Sequence, residues 1–145
     1  MKPPIRFMEI CRKAREWAEK YAREKTDFDR DLCGLCAIAS AKLHVMLKRA
    51  KYETTIVYGD GHVFLLWEDH VVDITATQFG RRKIFIIPYQ KLHKEHKDYG
   101  YCDVGPWSIM NRFKKLKGLW SFQQRHGWPK EQCIKMDSLK TRLRL

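Results

Sequence analysis

The chain has 145 residues, 44% apolar and 12% aromatic, which suits a single domain over 1–145 with one sizeable core. No apolar run approaches the roughly 20 residues of a membrane-spanning helix. Met1-Lys2-Pro3-Pro4-Ile5-Arg6 also lacks the apolar centre of a secretory leader, so a cytoplasmic product is expected. With 29 basic and 17 acidic residues the net charge is +12, which fits an anionic partner and equally fits a plain solvated basic surface. Five cysteines at irregular spacing are no disulfide framework, and free thiols fit a reducing compartment.

Taken in order, Arg6 to Lys25 has helical period, with Phe7, Ile10, Cys11, Ala14, Trp17, Ala18 and Tyr21 on one face. After a polar break at Asp27 to Asp31, a second helix is expected from about Cys33 to Lys51. Its stripe is Leu35, Ile38, Ala39, Leu43, Met46, Leu47 and Ala50. Ala37, Ala39 and Ala41 are small enough to let that helix lie close against a sheet. Thr54 to Tyr58, His62 to Trp67 and His70 to Thr75 read as strands, punctuated by Gly59-Asp60-Gly61 and by Glu68-Asp69. The second and third are apolar on both faces, as buried central strands are. Lys83 to Ile87 is a fourth strand, stopped by Pro88, and Tyr89 to Gly105 reads as charged and irregular. Pro106 and Trp107 open a third helix with Ile109, Met110, Phe113, Leu116 and Trp120 on one side. The expected fold is therefore α+β: N-terminal helices packed on a small antiparallel sheet of about four strands, followed by a basic helical C-terminal part.

Cys36 stands in the first turn of the second helix. A cysteine attacks as thiolate, and the partial positive charge of a helix N-terminus favours that form. Its place one step off the apolar stripe suits a side chain facing a cleft. Cys33 and Cys36 also form C-x-x-C, which admits two other readings. A redox dithiol normally follows a strand, and none is expected before it. A zinc site would need completion by His93 and His96 or by Cys102, and those histidines lie in the solvated run Lys91-Leu92-His93-Lys94-Glu95-His96-Lys97. No metal or organic cofactor is required by the thiol reading.

Of the histidines, His44 lies eight residues along the same helix, roughly 12 Å up the axis and too far to serve Cys36. His62 follows Gly61 at a strand start, an edge position open to a cleft. If the second and third strands form a hairpin across Glu68-Asp69, Trp67 lies opposite His70 and Phe64 opposite Asp73. His62 is then a diagonal neighbour of Asp73, at roughly 7–8 Å or somewhat less. Asp73 is a carboxylate inside Val71-Val72-Asp73-Ile74, and a charge among such neighbours needs a partner. Fixing the tautomer of His62 gives it one, as the third member of a triad does.

Cys33-Gly34-Leu35-Cys36-Ala37-Ile38-Ala39-Ser40 resembles the nucleophile segment of papain-like cysteine peptidases. The wider order is more similar to the transglutaminase-like superfamily, in which a cysteine opens a helix and strands bearing histidine and aspartate follow. Asp73-Ile74-Thr75-Ala76-Thr77-Gln78-Phe79 resembles the D-x-T-x-x-Q-F tail found after the acidic residue in such folds. The resemblance spans roughly 31–80 and implies Cys36 as nucleophile, His62 as base and Asp73 as orienter. Papain-like peptidases carry a glutamine before the cysteine for the oxyanion hole, and this chain has none there.

The resulting expectation is a cysteine hydrolase or acyltransferase that acts on protein or peptide amides through a thioester. The backbone N–H of Cys36 is the natural oxyanion donor, and Gln78 is either an added donor or a satisfied loop amide. The alternative is a non-catalytic basic module that binds nucleic acid or an acidic protein. Residues 104–145 hold ten Lys/Arg against two Asp/Glu, interleaved with Trp107, Phe113, Trp120, Phe122 and Trp128 that could stack on bases.

Overall fold

The computed structural model describes residues 2–25, 35–58, 62–95 and 133–135. Helix α1 spans Ile5–Lys25 and α2 spans Cys36–Arg49. Strands β1 (Thr55–Tyr58), β2 (Val63–Trp67), β3 (His70–Asp73) and β4 (Phe85–Pro88) follow, with a 3-10 turn over Ala76–Phe79 between the last two. Helix α3 (Tyr89–Glu95) and strand β5 (Cys133–Lys135) complete the described elements.

The inward face of α1 is built from Phe7, Cys11, Ala14, Ala18 and Ala22, at intervals of three or four residues and all buried. Four of those five side chains are small, so the helix axes can approach closely. Trp17 and Tyr21 stack one turn apart at 5.3 Å between centroids, and Lys42 from α2 sits over the Trp17 ring at 5.0 Å. α2 is buried nearly all round: Cys36 to Ala41, Leu43, His44 and Leu47 are all buried. A helix without a polar face must have cover on both sides, and α2 lies between α1 and the sheet. Its last turn closes on Lys51 in the left-handed region (φ 70), with the Tyr52 amide donating to the Leu47 carbonyl at 2.9 Å.

The sheet runs β4-β3-β2-β1-β5. β1 to β4 pair antiparallel, and β5 pairs parallel with β1. The β2–β3 hairpin carries the register read from its two-residue turn, with Trp67 opposite His70. Glu68 takes the positive φ of 56 that so tight a connection demands. Ile56, Val63, Leu65, Trp67 and Val72 join the cluster under α1 and α2, where Phe7 meets Trp67 at 4.4 Å. Val57, Phe64, Leu66, Val71 and Phe85 pack on the other face with Tyr89 and Leu92 of α3. Cover on both faces explains why β2 and β3 have no polar alternation.

Three expectations are corrected. The start of the segment expected to be irregular, from Tyr89, is helix α3, whose Tyr89 and Leu92 close the second core. A fifth strand joins the sheet, parallel and from far along the chain; its three residues carry too little pattern to read from sequence. The fourth strand includes Pro88 instead of stopping before it, which an edge position tolerates. The expected third helix from Pro106, and the basic C-terminal part, lie outside the described residues apart from β5.

Candidate active site

Three local features bring Cys36, His62 and Asp73 to one end of the sheet. Cys36 is the first residue of α2, three positions nearer the helix tip than a start at Cys33 would place it. Leu35, the N-cap, makes no side-chain capping bond, and the first turn holds no acidic residue. The positive end of a 14-residue helix therefore bears on Cys36 without a carboxylate beside it in that turn. Ser40, one turn further along the same face, donates its hydroxyl to the Val63 carbonyl at 3.0 Å. That bond pins the start of α2 to the start of β2, directly beside His62.

His62 precedes β2 and Asp73 ends β3, so antiparallel pairing sets them side by side. The His62 Nε2 to Asp73 Oδ2 distance is 2.5 Å, with both side chains fully buried. The other carboxylate oxygen, Oδ1, accepts from the Thr75 amide at 2.7 Å and the Thr75 hydroxyl at 3.0 Å. A buried carboxylate with both oxygens engaged is tolerable where an unpartnered one is not. Burial alone would lower the His62 pKa. The charge and hydrogen bond of Asp73, and the hydrogen bond and charge of the Cys36 sulfur, outweigh it and push the imidazole up from 6.5 to about 10.

Gln78 closes the arrangement. Its amide nitrogen lies 3.0 Å from the Thr75 carbonyl, 3.3 Å from the Thr75 hydroxyl and 3.3 Å from His62 Nδ1. Asp73, Thr75, Gln78 and His62 thus form one ring of hydrogen bonds. Phe79 lies edge-on to the imidazole, with centroids 4.7 Å apart. Gln78 and Phe79 are partly exposed, whereas Cys36 is 3% exposed and His62 is 0% exposed. This corrects the expectation that Cys36 and His62 face an open cleft: the α1–α2 core and the sheet enclose both, and the partly exposed wall is the 3-10 turn.

In sequence nothing sets Arg15 apart from the other cations of α1. Its guanidinium is buried instead, donating to the Ile74 carbonyl at 2.8 Å, the Thr77 hydroxyl at 3.0 Å and Glu19 at 2.8 Å. Lys83 adds a contact to Glu19 at 3.2 Å. Partial burial opposes ionisation of Glu19, but hydrogen bonds and charge from Arg15 and Lys83 prevail and hold its carboxyl below 4.5. This clamp fixes the segment that carries Thr75 and Gln78 to α1. No local pattern marks it, because its partners lie about sixty positions downstream.

The other candidates do not converge here. His44 Nδ1 is engaged with the Thr54 hydroxyl at 2.7 Å. His70 opens β3 next to Asp69, at 2.9 Å, at the opposite end of that strand from Asp73. Of the other members of the dithiol and zinc alternatives, His93 belongs to α3, and Cys33, His96 and Cys102 lie outside the described residues. No helix among the described residues is long and apolar enough to cross a membrane. No protein-family model, curated protein or solved structure matches the chain.

Proposed function

We propose that this chain is a cysteine-dependent amide hydrolase or acyltransferase of papain-like or transglutaminase-like type. The observation that carries the reading is a helix-tip thiol interacting with a buried imidazole whose far nitrogen is held by a carboxylate at 2.5 Å. Asp73 keeps the Nε2 proton, which leaves Nδ1 as the nitrogen able to take the thiol proton. The Cys36 sulfur then attacks the amide carbon and the carbonyl oxygen gains the electron pair. The Cys36 backbone N–H at the start of α2 is a donor for that oxygen. Nδ1 returns its proton to the leaving amine, and a thioester remains on Cys36. Water completes a hydrolysis, and a second amine completes a transfer.

The substrate class is a protein or peptide amide, because a triad of this kind activates a nucleophile toward acyl carbon. The test is iodoacetamide alkylation of the full chain across pH, with the modified cysteine located by peptide mapping. Rapid labelling at Cys36, slowed at least tenfold in His62→Ala, is the expected result. Equal, slow labelling of every cysteine in both proteins would remove the basis of the proposal.

A further inference from the structure

The segment that leads away from the site carries cations and no acid. Between Asp73 and Glu95 the sequence has no aspartate or glutamate, and Arg81, Arg82 and Lys83 stand together within it. Both ends of their segment are tied to the site. Phe79 lies edge-on to the His62 imidazole, and Phe85 is the register partner of Asp73. Arg82 is three residues from each, so its Cα lies at most about 11 Å from either. Gly80, in the left-handed region at φ 72, turns the chain back on the 3-10 turn, where the Arg81 amide donates to the Ala76 carbonyl at 3.1 Å. The Arg81 guanidinium donates to the Phe79 carbonyl at 2.9 Å. Lys83 reaches Glu19 at 3.2 Å with its side chain 67% exposed, but Glu19 is already engaged by Arg15. One carboxylate shared by two cations leaves this corner net positive, and Arg82 is exposed beside it.

Cys36 and His62 are enclosed, and the 3-10 turn Ala76–Phe79 is the partly exposed wall beside them. We propose that Arg82, with Arg81 and Lys83, forms a cationic rim along that wall and selects peptides with acidic side chains two or three residues from the acylated carbonyl. The inference rests on the amide chemistry proposed above. The spacing follows from chain geometry. An extended peptide advances about 3.3–3.6 Å per residue, so two or three residues cover about 7–11 Å, the span between the site and Arg82. The carboxylate is the matching group, because a guanidinium binds it through two parallel N–H bonds. Single-stranded nucleic acid fits the rim less well, since it needs exposed rings on which bases stack. The rings of this segment are engaged elsewhere: Phe79 lies against the imidazole, and Phe85 and Tyr89 are buried in the second core.

The experiment uses the full chain and two N-iodoacetylated peptide amides, Gly-Glu-Glu-Gly and Gly-Gln-Gln-Gly, with labelling of Cys36 located by peptide mapping. Exposed charge pairs are each worth up to about fivefold, so at low salt the acidic probe is expected to label Cys36 about three- to tenfold faster than the neutral one. In about 0.5 M sodium chloride the ratio should fall toward one. In Arg82→Glu it should drop below one. Arg6→Glu makes the same charge change on an exposed residue at the other end of the sheet, since neighbouring Phe7 meets Trp67 and Trp67 pairs with His70. That variant is expected to keep the wild-type ratio. Equal labelling by the two probes, a ratio that survives Arg82→Glu, or an equal fall in Arg6→Glu overturns the rim and leaves the thiol chemistry standing. A Cys36 that neither probe labels overturns both. Stronger protection of Cys36 by a polythymidine oligonucleotide than by a polyglutamate chain of equal charge assigns the rim to nucleic acid and overturns the peptide class. Arg82→Gln, whose ratio should fall toward one, gives the same comparison if the Glu variant does not fold.

Discussion

Replacing Asp73 by Asn tests the centre of the reasoning with almost no change in shape. Asp73 Oδ1 receives two donors from Thr75, so the asparagine oxygen must occupy that place. The asparagine NH2 then stands where Oδ2 was, facing His62 Nε2. It can only donate, so the imidazole proton moves to Nδ1. In that tautomer Nδ1 already carries the ring hydrogen and cannot accept the thiol proton. By comparison with other triads in which the wrong tautomer is imposed, acylation of Cys36 is expected to fall about 10³–10⁴-fold. The stability of the fold changes with it. In the wild type the imidazole pKa is about 10 against an ordinary 6.5. That gap corresponds to about 5 kcal/mol of pH-dependent stability at about 1.4 kcal/mol per tenfold. Because the folded value is the higher one, the contribution is complete below pH 6.5 and lost as pH rises through about 10. In Asp73→Asn only Cys36 still opposes burial, so the folded value drops and less stability is lost as pH rises toward 10. Urea unfolding between pH 5 and pH 10 reads the slope, and nitrogen-15 shifts of His62 read the tautomer. A variant with the wild-type slope would refute the account of the site.

Other outcomes follow from the same contacts. Peptide mapping after brief alkylation should find Cys36 labelled and Cys11 untouched, since burial pushes the Cys11 thiol up to about 12 despite the nearby Arg12. Arg15→Met leaves the Ile74 carbonyl, the Thr77 hydroxyl and Glu19 without their shared donor, and urea unfolding should show a loss of about 3 kcal/mol. Thr75→Val keeps the backbone donor to Asp73 but removes the hydroxyl, which should cost about 1–2 kcal/mol and slow Cys36 alkylation measurably. Glu68→Gly relieves a left-handed conformation at the β2–β3 turn, and its thermal midpoint should rise with a gain of up to about 1 kcal/mol.

What the sequence determined was local. The periods of α1 and α2, the two-residue turn at Glu68-Asp69 and the uninterrupted apolar runs of β2 and β3 were legible because each is a repeat within a few residues. From the turn came the hairpin register, and from the register came the nearness of His62 and Asp73. Even the need for a partner at Asp73 was visible, as one charge in an apolar run. Tertiary structure decided the rest. That Ser40 ties the tip of α2 to β2, that Arg15 turns inward to hold the segment after Asp73, and that β5 joins the sheet all depend on contacts between distant parts of the chain. Enclosure of Cys36 was equally hidden, because α2 needs cover on two sides and only packing supplies it. The orientation of Gln78 followed last: an amide has no preferred direction of its own until a fixed carbonyl, here that of Thr75, assigns its hydrogens.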